Sequence, residues 1–412
     1  MKTLPGSPTS SLMDVPRGVW ILGFVSLLMD VSSEMIHALL PIYLVAVLGV
    51  SPLAVGVIEG SAEATAAVTK VFSGAISDRL GHRKWLAAGG YGLAALTKPV
   101  FPLAPDISWL VAARFVDRLG KGIRGAPRDA LIADLSPPDV RGASFGLRQS
   151  LDTTGAFLGP LLAIALMYLT ANAFQTVFWI AVIPAFLAFL LIVLAVREPR
   201  PAQPQRPGRL PLLSRGELIR LGRPFWLVVA IATAFTLARF SEAFLLLRAQ
   251  SVGVSAALVP GVLVVMNVVY ALSAYPVGAL SDRIGRVALL AAGLLVLAVA
   301  DVLLAFAESI STLTAAVALW GLHMGMTQGL LATLVADTAP GDLRGTAFGL
   351  LNLVTGLTLL AASAIAGGLW DWIGPGATFT AGAAFSLVAM LALIAVRRRI
   401  GSNDAGPHSP TP

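Results

Sequence analysis

Long apolar runs separated by short polar stretches dominate the chain. Each run is close to the ~20 residues that an α-helix needs to cross a bilayer. A polar stretch rich in proline and arginine, at about 197–223, divides the runs into six before and six after. The pattern predicts an all-α membrane protein of twelve transmembrane helices, at roughly 17–45, 53–77, 85–104, 108–133, 142–169, 173–196, 224–250, 256–280, 287–307, 311–336, 344–369 and 373–396.

Two segments of the first half recur in the second half. GAISDRLGHRK at Gly74–Lys84 reappears as GALSDRIGR at Gly278–Arg286, 204 residues later. ADLSPPDVRGASFGL at Ala133–Leu147 reappears as ADTAPGDLRGTAFGL at Ala336–Leu350, 203 residues later. Two nearly equal offsets indicate a duplicated unit that fills the chain. We therefore expect two pseudo-symmetric bundles of six helices, with domains at 1–196 (N-terminal bundle), 197–223 (cytoplasmic linker), 224–397 (C-terminal bundle) and 398–412 (cytoplasmic tail).

Composition agrees with many membrane spans. The chain is 57% hydrophobic and 12% charged, with a mean hydropathy of +0.82, whereas a soluble domain carries roughly 25% charged residues. The absence of cysteine excludes disulfides and thiolate metal sites. The net charge of +7 is concentrated in short loops between apolar runs, so it indicates membrane orientation rather than nucleic-acid binding.

Lysine and arginine decide the expected orientation. The loops around Arg79 and Arg141, the linker and the tail at Arg397 are basic, and the alternate loops are almost free of positive charge. The positive-inside rule then predicts that both termini and the linker are cytoplasmic. The first apolar run is too long for a cleavable signal, so we expect an integral protein of the bacterial inner membrane.

Charged residues lie inside the apolar runs, above all in the fourth. At about 100° per residue, the seven charged residues of that run fall within an arc of about 140°. A charge at bilayer depth costs about 2.5–3.5 kcal/mol, so such an arc must face the bundle interior or a water-filled cavity. Some of these groups could merely pair and lock helices together. Taken as a set, they predict a substrate and proton pathway lined by Asp30, Glu34, His37, Glu59, Glu63, Lys98, Arg114, Asp117, Arg118, Lys121, Arg124, Asp152, Arg239 and Glu242.

The segment GAISDRLGHRK resembles the signature of the major facilitator superfamily between helices two and three. That signature is a glycine, a small residue, Asp-Arg, a glycine and basic residues, and the second copy matches its weaker form. Arg118 with Gly122 is similar to a helix-four pattern of proton-coupled members, and Gly155 to Pro160 is similar to a helix-five antiporter pattern. The resemblance covers nearly the whole chain and implies the fold of that superfamily. It also implies gating residues at Gly74, Asp78, Arg79, Gly81, Arg83, Asp134, Arg141, Gly155, Gly159, Pro160, Asp282, Arg283, Asp337 and Arg344.

The predicted function is secondary active transport of a small solute by alternating access, as proton-coupled efflux of small organic compounds. The sequence has no GxxxxGK[ST] loop that would bind ATP. Coupling requires carboxylates or a histidine whose protonation changes with solvation, and the candidates are Asp30, Glu34, Glu59, Glu63 and Asp117. Arg118 and Lys121 are the expected counter-charges of Asp30 and Glu34.

Two other substrate classes stay open at this point. The basic face of the fourth helix favours an organic-anion carrier. Asp30, Glu34 and His37 are spaced so that they could serve a divalent-metal exporter. Four histidines and no cysteine give little material for an enzyme, and a channel would not need duplicated gate loops. We expect a monomer in the lipid bilayer whose partners are its small-molecule substrate and protons, with no cofactor, no resident metal and no nucleic acid.

Overall fold

The computed structural model describes residues 15–80, 82–137, 140–198, 215–284, 286–340 and 343–400. These residues form twelve helices of fifteen residues or more, and they contain no strand. The first six helices are α1 (Arg17–His37), α2 (Pro52–Leu80), α3 (Arg83–Thr97), α4 (Ile107–Leu135), α5 (Arg141–Leu169) and α6 (Phe174–Ala195). The second six are α7 (Gly222–Ala238), α8 (Gly261–Ile284), α9 (Arg286–Ala305), α10 (Ile310–Thr338), α11 (Arg344–Trp372) and α12 (Pro375–Ile400).

By length and mean hydropathy alone, seven helical segments of the described ranges could cross a membrane. They contain α1, α5, α6, α7, α9, α11 and α12. The charged residues inside α2 and α4 lower the hydropathy of those two helices. α4 is nevertheless continuous over 29 residues, and the side chain of Asp106 accepts the Ser108 N–H at 2.8 Å to cap its first turn.

Two of the predicted spans are broken where the sequence analysis expected continuous helices. α1 ends at His37 and continues as Leu40–Ile42 and a π-helical turn, Tyr43–Val47. Pro41 explains this break, because it cannot donate to the carbonyl of His37 four residues earlier. α7 ends at Ala238 and continues as Ala243–Ser251.

The break in α7 contains neither proline nor glycine. Instead, the Ser241 N–H donates to Ser363 Oγ on α11 at 3.1 Å, and Ser241 Oγ accepts the Ala243 N–H at 3.3 Å. Tertiary contact therefore satisfies backbone groups that a continuous helix would have used itself.

The helix contacts repeat between the halves. In the first half α1 packs on α5 and α6, α4 packs on α2 and α3, and α3 packs on α6. The second half makes the same pairs six helices later: α7 with α11 and α12, α10 with α8 and α9, and α9 with α12. The halves meet through two contacts, α2 with α11 and α5 with α8. The same shift of six helices converts each of these contacts into the other. This confirms the predicted pseudo-symmetry.

The domain bounds predicted from the sequence stay predictions. Inside the predicted linker the structure places a short helix, Arg215–Arg220, and α7 begins at Gly222.

The apolar core differs between the two ends of the molecule. We call the end with the α2–α3, α4–α5, α8–α9 and α10–α11 junctions the motif end, and the other the opposite end. Toward the opposite end one cluster joins both halves, with Met35 and Leu40 packed in the same core as Phe244 and Leu263. Toward the motif end each half has its own separate cluster. Among the described residues, the two halves therefore share an apolar core at one end only.

Candidate functional site

A polar cavity lies between the halves. It has two adjoining chambers of about 440 and 370 Å³, the size range of small-molecule sites. The first chamber is lined by α1, α2 and α4 on one side and by α7, α10 and α11 on the other. The second extends toward the motif end between α1, α2, α4 and α5. Both chambers share the lining residues Glu34, Glu63, Ala67, Lys121 and Asn352.

At the opposite end, α2 and α11 close over the first chamber. The side chain of Asp371 on α11 accepts the Leu53 N–H in the first turn of α2 at 3.1 Å. A carboxylate at this position stabilises the positive end of a helix dipole. Deeper in the contact, a methyl group at Gly56 would overlap the Ser363 carbonyl, so the two backbones touch. The closed end is thus held by one exposed polar contact above tight backbone packing.

The wall of the first chamber holds an ion-pair network on the N-terminal half. Arg114 donates to both carboxylate oxygens of Glu59, at 3.1 and 2.5 Å, and each residue is only 1% exposed. Arg118 pairs with Glu63 at 3.2 Å. His37 Nδ1 accepts from Arg114 at 2.7 Å. Because arginine only donates, the neutral imidazole carries its proton on Nε2.

A second buried pair lies beside this network. Lys98 Nζ is 2.8 Å from Asp117 Oδ1 and donates to Ser33 Oγ at 3.0 Å. Lys98 is 1% and Asp117 3% exposed. The pair ties α3 to α4 and, through Ser33, to α1. The prolines that follow Lys98, Pro99 and Pro102, end the regular helix there.

The second chamber is lined by looser pairs. Asp30 Oδ1 is 3.9 Å from Arg124, whose guanidinium lies 4.8 Å from the centre of the Tyr91 ring. Asp152 lies 2.5 Å from Arg148 and 3.9 Å from Arg128. Asp30 is thus held less closely than Glu59 and Glu63 of the first chamber.

Two expected counter-charges pair differently from the sequence-based expectation. Arg118 forms an ion pair with Glu63, and Asp30 forms one with Arg124. Glu34 still lies within electrostatic range of Arg118, and Asp30 within range of Lys121, as the helix periodicity predicts. Neither Glu34 nor Lys121 makes a side-chain hydrogen bond or an ion pair with any residue of the described ranges. Both nevertheless line both chambers. Helix periodicity placed these residues on the cavity but did not determine their partners.

The glycines of α5 set the position of the α1 acids. A methyl group at Gly159 would come within 2.6 Å of Glu34 Cβ, and one at Gly155 within 2.9 Å of Asp30 Cβ. Only glycine lets α5 approach α1 this closely. Pro160 follows inside the same helix. The Gly155–Pro160 segment therefore packs directly against the charged face of α1.

The C-terminal half contributes a different wall. Its lining is mainly apolar or uncharged, and it includes Phe235, Phe240, Leu331, Thr355 and Leu359. Its charges come from the α7 break, where Arg239 lies 3.6 Å from Glu242. Behind this wall, His323 stacks on Phe235 at 5.1 Å. The two walls thus have matched helices but unequal charge.

Part of the predicted gate can be located. Arg83 lies 2.6 Å from Asp134 and donates to the Ala130 carbonyl at 3.1 Å, which ties α3 to α4 at the motif end. Gly74 lies on α2 facing Ala126 of α4. Gly81 lies outside the described residues, as do the side chains of Asp78, Arg79, Arg141, Asp282, Arg283, Asp337 and Arg344.

Three residues that the structure brings to the site are absent from the set predicted from the sequence. Tyr91 hydrogen-bonds Ser26 at 3.1 Å and lies against Arg124. Phe240 lines the first chamber at the α7 break, and Asp371 caps α2. A tyrosine in an otherwise small-residue helix was the one available signal. No three histidine or acidic residues in the described part converge on a metal site.

The chain matches the family model described as Major Facilitator Superfamily over residues 22–266 and 240–410. It is 34% identical over 389 residues to an uncharacterised MFS-type transporter of Methanocaldococcus jannaschii, covering 92% of this chain and 95% of that protein. It is 32% identical over 387 residues to an uncharacterised protein of Mycobacterium tuberculosis, covering 92% and 93%. A shorter match, 33% identical, covers 39% of this chain and 39% of the multidrug resistance protein MdtH of Photorhabdus laumondii.

Solved structures share the fold at lower identity. A peptide transporter POT in complex with sulfate superposes with a TM-score of 0.76 at 16% identity, covering 96% of this chain and 97% of that one. The human organic anion transporter MFSD10 gives a TM-score of 0.66 at 20% identity, covering 92% and 100%.

Proposed function

Because the chain belongs to the major facilitator superfamily, whose members are membrane transporters and not enzymes, we propose that it exports small organic compounds in exchange for protons. The observation that carries this proposal is the central cavity. It lies between two pseudo-symmetric bundles, is closed at the opposite end by a shared apolar core, and extends toward the motif end, where each half has its own core.

Alternating access follows from this arrangement in physical terms. The internal symmetry relates the α2–α11 contact to the α5–α8 contact. A rotation of one half against the other about these contacts would open the closed end of the cavity and close the open end. Both bundles also contain a broken first helix, α1 after His37 and α7 after Ala238. Interrupted helices in corresponding positions of two repeats point to a binding site, and a residue at each break, His37 and Arg239, lines the first chamber.

The proposed proton path lies on the N-terminal wall. Acids in a cavity that is wet in one state and closed in the other change their solvation during the cycle, and this change moves protons. Asp30 and Glu34 are the best placed, because Asp30 is only loosely paired and Glu34 has no ion pair among the described residues. Glu59, Glu63 and Asp117 hold tight partners and act as structural counter-charges in this conformation.

We place the motif end in the cytoplasm of a bacterial inner membrane, with both termini on that side. The support is the positive-inside bias of the sequence. Arg83 with Asp134, together with Asp78, Arg141 and their repeat counterparts, then forms the cytoplasmic gate. Gly81→Cys and Asp106→Cys in this cysteine-free chain test the orientation. An impermeant thiol reagent should label position 106 but not position 81 from outside intact cells, and the reverse result would contradict it.

Export of organic compounds receives support from the partial match to a multidrug resistance protein and from the apolar C-terminal wall. An organic-anion carrier is the second candidate, because Lys70 and Lys121 line the second chamber without ion pairs in the described part. We expect the functional unit to be a monomer, since the cavity is complete within one chain.

Inverted membrane vesicles test both candidates. Respiration acidifies the lumen, and a pH-sensitive dye then reports proton release when a transported compound is added. We expect release with amphipathic compounds and none in vesicles without the protein. Accumulation of the compound above its outside concentration that survives full collapse of the proton gradient would contradict proton coupling. Release with organic acids alone would favour the anion carrier.

A further inference from the structure

Three cavity charges have no ion pair in the described part: Lys70, which lines only the second chamber, and two of opposite sign on adjoining helices. Glu34 on α1 and Lys121 on α4 line both chambers, so the passage between the chambers runs past both. The neighbouring charges are paired: Glu63 with Arg118, Glu59 with Arg114, Asp152 with Arg148. A ligand in this passage thus meets one carboxylate and one ammonium that make no hydrogen bond or ion pair with the described residues, while Arg118 acts on Glu34 and Glu63 acts on Lys121 only at longer range.

The wall formed by the C-terminal half offers no charge comparable to Glu34 or Lys121. Facing this passage, the C-terminal half presents Asn352, Gly356 and Leu359 of α11, with Phe235 and Leu331 close by. Its own charges, Arg239 and Glu242, lie 3.6 Å from each other. At this passage the cavity therefore has one side with both a carboxylate and an ammonium and one side that is uncharged and partly apolar, and the chamber between them has the volume of a small-molecule site.

We propose that the substrate is an amphipathic molecule with both an amine and an acid group, the amine at Glu34, the acid at Lys121 and the apolar body against Phe235 and Leu331. A charge-assisted hydrogen bond is stronger than a neutral one, and an unpartnered cavity charge gains one only from the ligand. A purely anionic ligand would leave Glu34 unpaired, and a purely cationic ligand would leave Lys121 unpaired.

An amine site at Glu34 rests on the proposed export function and explains why the substrate would be exchanged for a proton. A substrate amine and a proton cannot occupy the Glu34 carboxylate together. Release of the amine on the far side would free Glu34 for a proton, and release of that proton in the cytoplasm would restore the amine site. One residue could then serve both ligands in turn.

Matched ligand trios test the proposal by binding to the purified full-length protein, without any gradient. Tryptophan, tryptamine and indole-3-propionate share one apolar body and carry both groups, the amine only or the acid only. 8-Aminooctanoate, heptylamine and octanoate form a second trio with a wider charge separation. We expect the doubly charged member of at least one trio to bind about tenfold or more tightly than its singly charged relatives.

Substitutions at Lys121 and Glu34 should change the order of affinities within a trio, which a purely structural role of these residues would not do. Lys121→Gln should remove the advantage of the acid, so that the doubly charged compound binds no better than the amine. Glu34→Gln should remove the advantage of the amine in the same way. Arg17→Gln and Glu308→Gln change exposed charges outside the cavity and should leave the order intact.

Three results would overturn the inference: tightest binding by a singly charged compound, no binding by either doubly charged probe at millimolar concentration, or variants that weaken all members equally. Binding is measured without a gradient, so this test does not depend on proton coupling. The proposed charge preference and the proposed proton-coupled export can therefore be contradicted independently. Charge-selective binding without proton exchange would remove the export proposal alone. Proton exchange with a different charge preference would remove this one alone.

Discussion

The two walls of the cavity are built from the same helix pairs but not from the same chemistry. On the N-terminal side, Glu59 lines the cavity and pairs with Arg114 behind it, while Lys98 pairs with Asp117 away from the lining, and each of the four is at most 3% exposed. The C-terminal wall has one charged pair at the α7 break, and the rest of its lining is aromatic, aliphatic or uncharged polar. Duplication therefore preserved the apolar packing that the fold requires, whereas charge was kept or lost separately in each half. The charged wall is where the chemistry of transport must be sought.

The largest effect should come from breaking the most buried pair. Arg114→Met leaves Glu59 without its two hydrogen bonds, and a buried charge stripped of its partner costs about 3–5 kcal/mol. We expect a lower melting temperature in detergent and loss of transport. The double variant Arg114→Met, Glu59→Met should regain most of the stability. Arg239→Met, in a half-buried pair of the other wall, should cost no more than about 1 kcal/mol.

The same substitution should act differently in the two halves. Asp117→Asn leaves the Lys98 ammonium buried without a counter-charge and should destabilise by about 3 kcal/mol. Asp301 on α9 is fully buried, but its carboxyl oxygens bond nothing in the described part. Asp301→Asn keeps the shape and breaks no pair, so we expect a change within about 1 kcal/mol. Equal melting shifts for the two variants would erase the contrast between the halves.

The coupling of substrate movement to proton movement should depend on residues of the charged wall whose substitution changes the stability of the protein little. Asp30 is loosely paired and lines the second chamber, so Asp30→Asn should fold normally. We expect it to abolish movement against a gradient while downhill exchange survives, because substrate still binds but protons no longer link the two states. Glu34→Gln should show the same loss, with weaker binding as well. Vesicle uptake with and without an imposed pH gradient measures both, and full gradient-driven activity in both variants would remove α1 from the proton path.

The smallest effect should come from the exposed cap at the closed end. Asp371→Asn removes a charge from the first turn of α2 and should cost about 0.5–1 kcal/mol of the closed state. A single cysteine at the buried position Val55 reports opening through its labelling rate with an impermeant thiol reagent. We expect labelling about two- to fivefold faster in the Asp371→Asn background. An unchanged rate would mean that backbone packing alone holds this end.

Much of the fold could be predicted because it depends on repeated local patterns. The apolar runs, the duplicated motifs and the charge arc of α4 gave the helices, the pseudo-symmetry and the polar cavity. The break after His37 also had a local cause in Pro41. The break after Ala238 had none, because it rests on the contact between Ser241 and Ser363, 122 residues apart in the sequence.

The ion-pair partners of the charged residues could not be predicted either, because they too depend on contacts between helices far apart in the sequence. Helix periodicity gives the direction of a side chain around its own axis but not the depth and neighbour it meets. Arg118 therefore pairs with Glu63 of α2, although α1 also presents acids to the same cavity. Tyr91 and Asp371 came to the site only through packing between helices far apart in sequence.

Ser363 has a consequence for how the two halves communicate. Its hydroxyl accepts the backbone of the α7 break, and its carbonyl touches α2 at Gly56. A ligand that reshapes the break must therefore also change the free energy of the α2–α11 contact. Such linkage is reciprocal: whatever the closed end adds to ligand affinity, the ligand adds to closure. A double-mutant cycle of Ser363→Ala with Asp371→Asn, read as ligand affinity, measures this coupling energy, and a value of zero would show that the two sites act independently.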